Sequence, residues 1–220
     1  MGRASNRKKR QGQEGSSDSA TYGYFLVAFL DLVGQTSELR RFSSFPHTPE
    51  HLDDAINVLR RTAGRVRTVR NAFESFLKTA RQPYEMNSQI PAPYQQRFQA
   101  LGKPKLTLRG FSDCFVITTP LFGEGDDPVR AIRDVFSIVY GITGMSLVSM
   151  AQGKPIRGGI DVERGIEIYA KEYYGPGLLS AYELESTEAQ YPRILIGKGF
   201  TRYLRVGEII TFTTFACTIP

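Results

Sequence analysis

Two aspartates of this 220-residue chain stand where carboxylates are costly or unexpected. Asp31 follows a near-continuous apolar run, Tyr22 to Val33 (YGYFLVAFLDLV), close to its end. A lone carboxylate in a buried strand is unfavourable unless it is paired, hydrogen-bonded or bound to a cation. Asp113 lies between two β-rich runs, Leu106–Arg109 (LTLR) and Cys114–Thr118 (CFVIT). Paired carboxylates with no Cys or His nearby select hard cations such as Mg²⁺ or Mn²⁺. Two such ions, about 3.5–4 Å apart, clamp the attacking and leaving oxygens of a phosphoryl transfer.

Each aspartate has a plainer reading. Asp31 could cap the turn after its strand, and aspartate is a common turn residue at positions such as 113. The metal reading requires that the hairpin pair beside the first strand, so that its tip meets that strand's end. After Asp31 comes LVGQTSEL, a glycine turn opening a short helix, whose free backbone N–H groups suit a polyphosphate. His47 and His51 have no nucleophile beside them, so no Ser/His/Asp or Cys/His site is supported.

The elements that must position these residues follow from periodicity. Tyr22 to Val33 suits a central strand buried on both faces, ended by Gly34. Thr48 and Pro49 open a long helix with Leu52, Ile56, Leu59, Val66, Val69, Phe73 and Phe76 on its apolar face. Its arginines, Arg60, Arg61, Arg65, Arg67 and Arg70, read as a solvated face. Four prolines between Gln82 and Pro104 mark a long excursion, and the runs around Asp113 then read as a hairpin joined by residues 110–113. Asp126-Asp127-Pro128 opens a second helix with Val129, Ile132, Phe136, Val139 and Ile142 inward. Ile156 to Val162 is a strand with paired glycines, Pro176 to Ser186 a short helix, and Ile194–Ile196 and Ile209–Cys217 closing strands. This order predicts an α+β, mainly antiparallel sheet flanked by helices, all on one side in the ferredoxin-like manner.

Composition narrows the function. The first twenty residues contain no Leu, Ile, Val or Phe and read as a disordered basic tail, leaving 21–220 as one domain. Five basic and two acidic residues in that tail supply half of the formal net charge of +6. The body has no basic stripe with interleaved aromatics, so stable nucleic-acid binding is not expected. Two cysteines, Cys114 and Cys217, without metal or disulfide spacing, and no secretory h-region, point to a reduced, cytoplasmic setting. The uncharged run from Val135 to Gly153 reads as a buried amphipathic helix rather than a membrane span.

Four ordered segments resemble class III nucleotide cyclases. Phe29–Thr36 (FLDLVGQT) is similar to their F-x-D-I-x-G-F-T segment, and Phe111–Ile117 (FSDCFVI) to the hairpin with the second metal aspartate, with Ser112 at the usual glycine. Pro155–Ile160 (PIRGGI) resembles R-x-G-I, and Gly175–Glu185 (GPGLLSAYELE) resembles G-x-x-V-N-x-A-A-R-L-E. The segments cover most of residues 22–197, and the compact layout, the Phe111-Ser112-Asp113 hairpin and the Gly175–Glu185 segment resemble the small bacterial pyrimidine cyclases of Pycsar antiphage defence, which make cyclic UMP or cyclic CMP.

The resemblance implies a ferredoxin-like cyclase domain acting as a homodimer with active sites at the interface. It implies UTP or CTP as substrate, uridylate cyclase being favoured, and two Mg²⁺ or Mn²⁺ ions held by Asp31, Asp113 and the Leu32 carbonyl. Backbone amides of Val33, Gly34, Gln35 and Thr36 would take the β- and γ-phosphates. Arg109, at the purine-reading lysine position, would face the base, its forked donors suiting a pyrimidine carbonyl; Glu172 aligns with the second base-reading position. Leu179 and Glu183 replace the transition-state Asn and Arg, so those roles do not carry over. Arg157, Lys171 or an arginine of the partner subunit are candidates for the missing cation. The rival expectation is a degenerate cyclase-fold module that dimerises and binds nucleotide without turnover.

Overall fold

The computed structural model describes residues 20–41, 45–81, 105–122, 128–168 and 172–206. The basic tail over 1–19, the excursion over 82–104, the Asp126-Asp127 helix start, Lys171 and the closing strand with Cys217 lie outside the described residues.

Strand β1 (Thr21–Leu32) lies at the centre because both of its faces are apolar. Leu26, Ala28, Leu30 and Leu32 enter one core, and Phe25, Val27 and Phe29 enter another on the opposite face. Continuous apolar sequence is what a strand covered on both sides requires. It pairs antiparallel with β3 (Cys114–Phe122) and β4 (Ile156–Ile168). Strand β2 (Thr107–Phe111) extends the sheet beyond β3, and β5 (Glu172–Tyr174) extends it beyond β4. The short β6 (Ile194–Ile196) pairs parallel with β4. The fold is α+β with a mostly antiparallel sheet flanked by helices.

The first face carries α2 (Pro49–Arg81) and α3 (Pro128–Ala151), after a single short turn of helix, α1 (Thr36–Arg40). Val69, Phe73 and Leu77 of α2 meet Val135, Ile138, Ile142 and Met145 of α3 in the core. Residues 131–151 are long and apolar enough to cross a membrane, but in this fold half of that stretch is buried against the sheet and α2. The second face receives α4 (Pro176–Glu183), seated through Ala181 and Leu178. Helices therefore cover both faces, which corrects the one-sided expectation: a helical stripe says that a helix packs, not which face of a two-faced strand it meets.

The inward faces also differ in detail. Leu52, Leu59 and Phe136 are exposed, Phe136 to 70%. On α3 a Cβ at Gly141 or Gly144 would overlap the rings of Phe73 and Phe76, so these glycines set the helix contact and turn Phe136 outward. A final helix over 198–206 is capped from β4: buried Asp161 accepts the Val162 and Phe200 N–H groups, each at 2.8 Å.

Candidate functional site

Register brings the two sequence-predicted aspartates together. Asp31 sits opposite Cys114 of β3 on one side and opposite Arg157 of β4 on the other. The β2–β3 hairpin closes in a two-residue turn, Ser112 and Asp113, tighter than the four-residue joint expected. Ser112 has φ +53°, the left-handed region where glycine is at ease, which gives the usual glycine at this position its physical reason. The Leu32 N–H donates to the Asp113 carbonyl at 3.2 Å, fastening the turn to the end of β1. Ligand atoms of Asp31, Asp113 and Cys114 all lie within 4.8 Å of one another.

Electrostatics at this cluster favours a cation. Burial raises the Asp31 pKa above its ordinary value and the neighbouring Asp113 charge adds to this, against lowering by Cys114 and Arg157. The Cys114 thiol is pushed up to about 12, first by burial and then by Asp31. It is therefore a protonated donor to Asp31 Oδ1 at 3.5 Å, which corrects the expectation of a carboxylate pair with no cysteine nearby: cross-strand register places Cys114 directly opposite Asp31. Two carboxylates crowded at the end of the central strand fit a hard divalent ion, because a dication relieves their repulsion.

Arg157 Nε lies against Glu185 Oε1 and 3.4 Å from Asp31 Oδ2. Glu185 is 3% exposed and comes from a π-helical turn, Leu184–Glu188, that continues α4. Burial raises its pKa, opposed first by Arg157. Gly159 makes the approach possible, since a Cβ there would overlap the Ala181 carbonyl and the Leu184 side chain.

The turn after β1 has the predicted form, with Gly34 at φ +92° leading into α1. Glu38 of α1 is held by Arg61 at 3.0 Å and Arg65 at 2.6 Å, so two arginines expected on a solvated face anchor this turn to α2. The Val33 N–H donates to the Pro155 carbonyl at 3.0 Å. That corrects the expectation that its amide is open to phosphate and leaves the amides of Gly34, Gln35 and Thr36. The Gln35 side chain is buried, and its amide atoms make no hydrogen bond among the described residues.

Arg109 pairs with Val116, which pairs with Phe29, so it shares the sheet face of Asp31, one pair of strand positions away. That face opens into a cavity of about 740 Å³ lined by Phe29, Phe111, Cys114, Val116, Tyr173, Leu178, Leu179 and Tyr182, among others. Arg109 is not one of the lining residues. Leu179 lines the cavity, Glu183 is exposed at the end of α4, and Glu172 is exposed on β5. Cys114 and Glu185 were not singled out from sequence as neighbours of Asp31. Their positions depend on cross-strand register and on the π turn, although Glu185 belongs to a motif that the sequence displays.

No protein-family model matches the chain, and no curated protein does. Among solved structures it is similar to the adenylyl cyclase CyaB from P. aeruginosa, with a TM-score of 0.45 and 14% identity over 86% of this chain and 83% of that one. It is also similar to a bacterial light-regulated adenylyl cyclase, with a TM-score of 0.40 and 16% identity over 84% of this chain. The match spans 46% of the light-regulated protein.

Proposed function

We propose that the chain is a class III nucleotide cyclase that converts a pyrimidine nucleoside triphosphate, UTP ahead of CTP, to its 3′,5′-cyclic nucleotide and pyrophosphate. The observation that carries this reading is the meeting of Asp31, from a strand end, with Asp113, from a hairpin turn, within 4.8 Å. The four ordered sequence motifs support it independently. A role in cytoplasmic antiphage signalling rests on the motif resemblance alone.

Asp31 and Asp113, with the Leu32 carbonyl, would hold two Mg²⁺ or Mn²⁺ ions. When bound, these ions supply Lewis-acid activation of the ribose 3′-OH and neutralise the departing pyrophosphate. The chain's own task is alignment. Amides of Gly34, Gln35 and Thr36 hold the β- and γ-phosphates, and Arg109 donates to O2 or O4 of a single-ring base. The 3′-oxygen then bonds to the α-phosphorus as pyrophosphate leaves, and the 3′-OH proton passes to solvent. A homodimer closes the cavity, whose wall exposes Phe111, Tyr174, Leu179 and Tyr182 beside the aspartates.

Incubation with each of four NTPs and Mn²⁺, with products read by mass, tests the reading. A cyclic pyrimidine nucleotide is expected, and Asp31→Ala or Asp113→Ala should abolish it while leaving a folded chain. Substantial turnover in either folded variant removes the two-metal mechanism. A second reading, a nucleotide-binding module without turnover, is favoured by Leu179 and Glu183 and by Arg157 being engaged with Glu185 and Asp31. Nucleotide binding with no product from any of the four NTPs selects it.

A further inference from the structure

A metal-binding carboxylate with an arginine against it is self-defeating unless something else takes the arginine's charge. Arg157 faces Asp31 across the β1–β4 pair, so its guanidinium competes with any cation that Asp31 is to hold. Glu185 answers that problem. Its carboxylate is almost wholly buried, a costly state that is sustained by the ion pair with Arg157. The Arg157 guanidinium lies in ion-pair range of both carboxylates, against Glu185 Oε1 and 3.4 Å from Asp31 Oδ2, while neither its Nε nor Glu185 Oε1 makes a hydrogen bond among the described residues. Asp31 therefore shares the positive charge of Arg157 with a second carboxylate. The side-chain-free Gly159 and the π turn after α4 are the local features that bring Glu185 down to this point.

We propose that Glu185 is a positioning residue for the divalent-cation site: it neutralises Arg157 so that the Asp31 carboxylate stays free to bind metal. The inference rests on the metal reading given under Proposed function. Removal of the Glu185 charge leaves Arg157 with Asp31 as its one anionic partner among the described residues, and an uncompensated positive charge beside the incoming dication.

The test is Mn²⁺ affinity without nucleotide, measured on the full chain from the free-Mn²⁺ electron paramagnetic resonance signal. Glu185→Gln should weaken binding by at least about tenfold, since close charges at a half-buried site interact by more than 1.4 kcal/mol. The same substitution made in an Arg157→Met background should cost nothing further, because there is no guanidinium left to restrain. Unchanged affinity in folded Glu185→Gln overturns the proposal. So does an equal loss in both backgrounds, which would make Glu185 a direct attractor of the cation. If Glu185→Gln fails to fold, the uncharged pair Arg157→Met with Glu185→Met decides: affinity at or above wild type supports the proposal, and a tenfold loss overturns it. Wild-type chain that binds no Mn²⁺ overturns the underlying metal reading, whereas metal-binding wild type with an unaffected Glu185→Gln overturns this inference alone.

Discussion

At the scale of single residues, the charged groups of the sheet differ in what surrounds them. Asp161 is buried, and its Oδ1 accepts two backbone N–H bonds that tie the final helix to β4. Asp31 has a weak thiol donor and a shared arginine, and a second carboxylate raises its proton affinity further. A carboxylate left so poorly served is suited to an external cation. Arg109 presents the opposite case, a cation on the same face with no carboxylate partner among the described residues. Losing a hydrogen bond from a charged donor costs about 1.5–3 kcal/mol, or roughly ten- to a hundredfold in specificity. On the proposed cyclase reading, Arg109→Ala is therefore expected to lower pyrimidine turnover by that factor with little change in melting temperature. Wild-type rates and an unchanged preference among the four NTPs would place base reading elsewhere, with the cavity-lining tyrosines next in line.

At the scale of elements, the hairpin is the critical part, because a two-residue turn has few ways to present Asp113. Ser112 holds the left-handed conformation that costs a non-glycine residue about 1–2 kcal/mol, more for a β-branched one. Ser112→Val should thus be less stable than Ser112→Gly by about that amount in chemical denaturation, and should bind Mn²⁺ more weakly because Asp113 moves with the turn. Equal stability of the two variants would show that the turn relaxes freely. The strand end, the hairpin and the glycine turn were legible in sequence because each is set by local signals: a continuous apolar run, two β-rich stretches, and a glycine before a helix start. Which helix face turns inward was not. Phe136 fits an apolar stripe as well as Val135 does, and Gly141 and Gly144 decide between them only once Phe73 and Phe76 are present. The Arg157–Glu185 contact was hidden for a similar reason, since residues 28 positions apart meet only through strand register and the seat that Gly159 provides.

At the scale of the whole molecule, two apolar surfaces are exposed among the described residues, and they make different demands. One runs along α3 through Phe136, Tyr140, Leu147 and Met150. The other is the cavity wall beside Asp31, with Phe111, Tyr174, Leu179 and Tyr182. A contiguous exposed apolar surface marks an interaction site more often than scattered residues do. A cyclase that completes its site across a two-fold axis should use the second surface, because only there does the partner reach the aspartates. Burying one aromatic or aliphatic anchor contributes about 1.5–3 kcal/mol, so a charge placed at such a point dissociates a modest dimer. If the proposed homodimeric cyclase is correct, Leu179→Glu should convert the chain to a monomer in sedimentation and abolish turnover, whereas Phe136→Glu should leave both dimer and rate intact. Asp31→Ala supplies the control, inactive yet still dimeric. Dissociation by Phe136→Glu with none by Leu179→Glu would put the interface on α3, leaving each active site to be completed within one chain.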